Sequence, residues 1–101
     1  MKDEVDVRKY RVVGRVQGVG FRWWTQKMAG GLGLVGRVRN VPDGSVDVRV
    51  AGAPDALGRF EEVLREGPLA ARVDGVDGST ATPGADGVPA ELWTDFSIES
   101  V

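Results

Sequence analysis

The sequence predicts an α+β sandwich of the split βαβ type (βαββαβ), an antiparallel-dominated sheet with two helices on one face. Three observations lead there. The apolar pattern changes period in the order strand, helix, strand, strand, helix, strand, with a short last strand. A hairpin lies between two strand–helix crossovers, which defines the split arrangement and puts both helices on one side. The 101 residues fit one domain, 1–101, with no repeat and no linker to divide it.

Each element has its own warrant. In residues 5–16, Tyr10, Val12, Gly14 and Val16 share one strand face, and Arg11 and Arg15 share the other. In residues 21–32, Phe21, Trp24, Thr25, Met28 and Leu32 form a stripe at helical spacing. Gly30 and Gly31 weaken its last turn by roughly 1 kcal/mol each relative to alanine. Gly33 stands where a left-handed helix end is expected. Residues 34–41 and 45–52 form a hairpin. Val46, Val48 and Val50 alternate with Asp47, Arg49 and Ala51, and Val41-Pro42-Asp43-Gly44 has turn chemistry throughout. Leu34, Gly36, Val38 and Asn40 share the core-facing side of the first arm, so Asn40 is a polar residue at the end of an apolar row.

Residues 54–66 form a second helix, opened by Pro54 and stopped by Gly67-Pro68. Leu57, Phe60, Val63 and Leu64 make its inner stripe. Residues 70–76 form a weaker strand. Val73 and Val76 break alternation, which predicts a bulge or an early end. Residues 77–89, rich in Gly, Ser, Thr, Pro and Asp, are expected to form a mobile loop. Residues 92–99 close the chain as a strand with Phe96 and Ile98 facing in.

Composition narrows the chemistry. The chain is 42% hydrophobic and 28% charged, ordinary for a globular protein. It has no cysteine and no histidine, which removes disulfides, thiol nucleophiles, imidazole bases and the usual zinc sites. An enzyme built on this chain works with Arg, Lys, carboxylates, amides, hydroxyls or backbone groups. The net charge is −2, from 13 basic and 15 acidic residues, so nucleic-acid binding is not expected. No segment approaches the roughly 20 apolar residues that span a bilayer, so no membrane association is expected. Met1-Lys2-Asp3-Glu4 is followed by no apolar run, so no signal peptide is expected. Together with the missing cysteines, this points to the cytoplasm.

The stretch that carries chemistry is Gly14-Arg15-Val16-Gln17-Gly18-Val19-Gly20-Phe21-Arg22. It joins the first strand to the first helix. Its glycines allow a sharp turn and a close approach to a ligand. The helix start adds unpaired N–H groups and the positive end of the macrodipole, and together these make an anion cradle. Arg22 is a cation in a first turn that prefers carboxylates, which points to a bound anion, and its planar fork suits a phosphate. Glycine spacing by itself favours close packing over anion binding. Trp23 and Trp24 read as packing residues, and Arg37 and Arg39 as a solvated face.

The run at residues 14–22 resembles the first signature of the acylphosphatase family. Gly36-Arg37-Val38-Arg39-Asn40, followed by Asp43-Gly44-Ser45-Val46, resembles the second. Gly67-Pro68 ahead of Val73, and Phe96-Ser97-Ile98, are similar to weaker family features, so the resemblance spans nearly the whole chain. Arg37 departs from it, standing where the family often has tryptophan, and so does Gly30-Gly31. The resemblance implies a ferredoxin-like fold and hydrolysis of the carboxyl-phosphate bond of acyl phosphates. It implies no metal, no other cofactor and no phosphoenzyme. It places the phosphate-binding loop on Val16, Gln17, Gly18, Val19, Gly20 and Phe21, the catalytic arginine on Arg22 and a water-orienting asparagine on Asn40. The expected partner is a small-molecule acyl phosphate, and the expected state is a monomer. Three alternatives remain: a non-catalytic phosphate- or metabolite-binding module on the same fold, an RNA-binding domain of split βαβ form, and a segment of a larger maturation protein. The first would not need Asn40. The second would stack bases on sheet aromatics, where this chain offers valines, Asp47 and Arg49. The short self-contained chain and the lack of cysteine clusters count against the third.

Overall fold

The computed structural model describes residues 5–80 and 95–99. The elements run β1 (Asp6–Arg15), α1 (Phe21–Gly31), β2 (Val35–Asn40), β3 (Val46–Gly52), α2 (Pro54–Glu66), β4 (Arg72–Thr80) and β5 (Phe96–Glu99). The five strands form one sheet in the order β4-β1-β3-β2-β5. Every neighbouring pair is antiparallel except β2 and β5, which run parallel.

Register explains the core. Val76, Val12, Val46 and Asn40 lie in one row across the sheet, and Tyr10, Val48, Val38 and Ile98 fall in the next. Tyr10, Val12, Val38, Val46, Val48 and Val76 are buried against Phe21 and Ala29 of α1 and Leu57, Phe60 and Leu64 of α2. Burying each large apolar side chain contributes about 1.5–3 kcal/mol, so this face holds most of the stabilisation. Asn40 therefore continues an apolar row on the helix side of the sheet, as alternation along β2 predicts. Gly36, two rows further along the same face, has φ 149°, and a Cβ there would run into the Arg49 carbonyl. No side chain fits that position.

The opposite face is charged. Lys9, Arg49 and Arg37 share one row, and Arg11, Asp47 and Arg39 the next. The expectation of a simple solvated face for Arg37 and Arg39 needs correction. Arg37 pairs with Glu99 at 2.8 Å, and Arg39 and Arg49 both approach Asp47, at 3.5 and 3.3 Å.

Three other details differ from expectation. The deepest line of α1 is Phe21, Thr25 and Ala29, while Trp24 and Leu32 flank it partly buried. A helix of this length rests on the sheet along one i, i+4, i+8 line. The strand after α2 bulges as anticipated, where register slips between Val13 and Gly14, but it does not end early. It continues through Gly75 and Gly78 to Thr80, so residues 77–80 are strand rather than loop. Backbone pairing with β1 carries it, and Gly78 leaves room for the Tyr10 ring. Residues 81–94 lie outside the described residues, and with them most of the expected loop and the start of the last strand. Ile98 faces in beside Phe96, but at the sheet edge it stays 36% exposed.

Candidate active site

The site forms where β1 ends and α1 begins. Gly18 and Gly20 take φ of 75° and 78°, a left-handed conformation that costs glycine nothing. Gly20 caps α1 without any side-chain bond, and the first turn holds no acidic residue. The first intrahelical bond runs from the Trp24 N–H to the Gly20 carbonyl at 3.0 Å. The N–H groups of Phe21, Arg22 and Trp23 precede it, so they point out of the helix start together with the macrodipole's positive end.

Around this start lies a cleft of about 190 Å³, lined by Val16, Gly18, Gly20, Phe21, Arg22, Trp23, Asn40 and Ile98. No carboxylate side chain lines it among the described residues. Arg22 is half-buried, and its Nη1 donates to the Glu99 carbonyl at 3.0 Å. Among the described residues, this neutral acceptor orients the guanidinium without neutralising it. Asn40 reaches the same cleft from β2. Its Oδ1 is buried and accepts no hydrogen bond from any described residue. Such an unpaired acceptor costs about 1–3 kcal/mol, so it calls for a ligand or a water to explain it.

Of the residues the sequence singles out, Val16, Gly18, Gly20, Phe21, Arg22 and Asn40 meet on this cleft. The side chains of Gln17 and Val19 do not line it. Val19 packs against the core. Gln17 ties the loop to the hairpin: its Nε2 donates to the Val41 and Ser45 carbonyls, at 2.8 Å each. Both amide protons are used, and the loop is fixed against the residue that follows Asn40. The hairpin end is itself braced. The Asp43 carboxylate accepts from the Ser45 Oγ at 2.6 Å, the Ser45 N–H at 2.9 Å and Arg11 at 2.9 Å. These bonds, the Ser45 hydroxyl foremost, hold its carboxyl well below the usual range. On the other side, Gln26 Nε2 donates to the Phe96 carbonyl at 2.9 Å and anchors β5 beside α1.

Fold and site together define a small α+β sandwich with an anion-binding strand-to-helix turn, faced by one arginine and one amide. The acylphosphatase family model matches residues 8–98. An acylphosphatase of Rhizobium etli is 48% identical over 81 residues, covering 80% of this chain and 86% of that one. Among solved structures, an acylphosphatase from Coxiella burnetii aligns with a TM-score of 0.83 at 33% identity, covering 94% of this chain and 93% of that chain. One from Bacillus subtilis aligns equally well, at 0.83 and 31% identity, over 95% and 99%. The chain belongs to the acylphosphatase family, with the ferredoxin-like fold of its structural relatives. Its activity is that family's: it is a hydrolase of the acid anhydride in small-molecule acyl phosphates.

Proposed function

We propose that the cleft holds the substrate's phosphoryl group, that Arg22 and Asn40 are the catalytic residues, and that no metal takes part. The observation that carries this is that Asn40 and Arg22 line one cleft at the open helix start, with Asn40 Oδ1 buried and without a partner among the described residues. The backbone N–H groups of residues 17–21 and the Arg22 fork bind the non-bridging oxygens and take up charge as the bond to the leaving group breaks. Asn40 Oδ1 accepts a hydrogen bond from a water and aims its lone pair at phosphorus. An amide is too weak a base to keep the proton, which passes to the phosphoryl oxygens or to the departing carboxylate. That carboxylate has a pKa of about 4 and leaves without a general acid. Water and acyl phosphate thus give a carboxylate and inorganic phosphate.

The donor set supports a metal-free reaction, since one arginine and one side-chain amide line the cleft and, among the described residues, no carboxylate does. Further parts of the proposal are a single domain over residues 1–101, a monomer and a cytoplasmic location. One core under one sheet among the described residues supports the first, and a cysteine-free sequence the last. We include no nucleic-acid role, because the outward rows of β1, β2 and β3 carry charge and no aromatic ring, and Tyr10 faces the helices. Benzoyl phosphate assayed in excess chelator tests the proposal. Undiminished hydrolysis with competitive inhibition by inorganic phosphate is the expected result. Activity abolished by the chelator, or inhibition that is not competitive, would contradict it.

A further inference from the structure

The phosphoryl chemistry leaves one side of the cleft without a task. Trp23 and Ile98 both line it, yet Trp23 is 60% exposed and Ile98 36%. They account for two of the four large exposed apolar side chains among the described residues; the other two, Val5 and Leu69, do not line the cleft. Exposed apolar side chains scattered singly need no explanation, but a pair lining the same cleft does. The two come from different elements, each next in sequence to one partner of the Arg22–Glu99 bond. Trp23 follows Arg22 in the first turn of α1. Ile98 precedes Glu99, whose carbonyl accepts the Arg22 bond. Lys27, one turn along, sets its Nζ 5.1 Å from the centroid of the Trp23 ring, a cation–π contact that steadies the indole.

An acyl phosphate has two ends, and the cleft has two kinds of wall. The loop, Arg22 and Asn40 suit the phosphoryl end. We infer that Trp23 and Ile98 form the subsite for the acyl end, and that it selects aromatic or branched apolar acyl groups over acetyl. This rests on reading the cleft as the phosphoryl site. A methyl group is too small to cover the indole, and a charged acyl group would lose hydration there without gaining an ion pair from either wall residue. A phenyl ring that covers about 55 Å² of apolar surface at roughly 25 cal/mol per Å² gains about tenfold in binding. The contact is present before and during bond breaking alike, so it lowers KM and leaves kcat nearly unaffected.

The test compares benzoyl phosphate with acetyl phosphate on the full chain, for the native protein, Trp23→Ala and Ile98→Thr. The quantity read is the ratio of the two kcat/KM values, which cancels damage common to both substrates. The inference predicts that this ratio falls about tenfold in Trp23→Ala and about threefold in Ile98→Thr, through the KM for benzoyl phosphate. A ratio unchanged in both variants overturns it, whatever happens to the absolute rates. Hydrolysis of neither substrate by the native protein is a different failure, since it overturns the reading of the cleft and this subsite with it.

Discussion

Arg22→Ala is expected to lower kcat/KM by about 10³-fold or more and to weaken inorganic phosphate binding in the same protein. The size follows from the task. One positioned donor in a water-poor site is worth about 10²–10³, and an arginine that stabilises a transferring phosphoryl group about 10³–10⁵. Arg22 has no counter-ion among the contacts described, only the Glu99 carbonyl, so its charge is available to the substrate. Lysine is no substitute, because an ammonium lacks the planar fork that meets two phosphoryl oxygens at once. The check is steady-state kinetics beside phosphate titration, with circular dichroism to show the fold intact. Near-native kcat/KM in Arg22→Ala would remove the arginine from the mechanism.

Asn40→Ala separates binding from chemistry. Turnover is expected to fall about 10²–10³-fold, the usual loss when one positioning group is removed from the reacting centre. The inhibition constant of phosphate is expected to stay within about threefold of native, because the loop and Arg22 remain. A third readout follows from burial. Asn40 Oδ1 is a buried acceptor with no described partner, so replacing it removes a destabilising group. The melting temperature of Asn40→Ala is expected to equal or exceed that of the native protein, a gain of at most about 1–3 kcal/mol. A structural asparagine would behave in the opposite way, losing stability and keeping activity.

Arg22 and Asn40 differ in how much of their role was legible before any coordinates. Arg22 stands against the local helix preference beside three glycines, and the structure gives the physical reason: the turn it enters has no side-chain cap and no acidic residue. Asn40 shows only as a polar residue ending an apolar row. Register across four strands makes that row real, since Val76, Val12 and Val46 lie in it. Helix α2 and the hairpin were readable because pattern and turn chemistry agree there at short range. The last residues of β4 were not. Gly75, Gly78 and Ser79 have poor strand propensity, and pairing with β1 overrides it.

The remaining parts of the site depend on contacts far apart in sequence. Gln17 reads as a loop residue that offers its backbone to an anion. Its side chain bonds carbonyls 24 and 28 residues away. Trp23 reads as packing, and Ile98 as a core residue. Trp23 reaches the cleft from the first turn of α1, and Ile98 joins it because β5 runs parallel to β2 at the edge of the sheet, a pairing that no local pattern specifies. Period and capping identify elements and their faces, whereas the rim of a cleft is decided by which strand ends are neighbours.

The central claim is that the phosphoryl group sits in the loop and that the water held by Asn40 attacks phosphorus rather than the acyl carbon. Hydrolysis of benzoyl phosphate in water enriched in oxygen-18 tests it, with both products analysed by mass spectrometry. The account predicts one heavy oxygen in inorganic phosphate and none in benzoate. Label in benzoate would mean attack at the carbonyl and would contradict the site as drawn from Arg22 and Asn40.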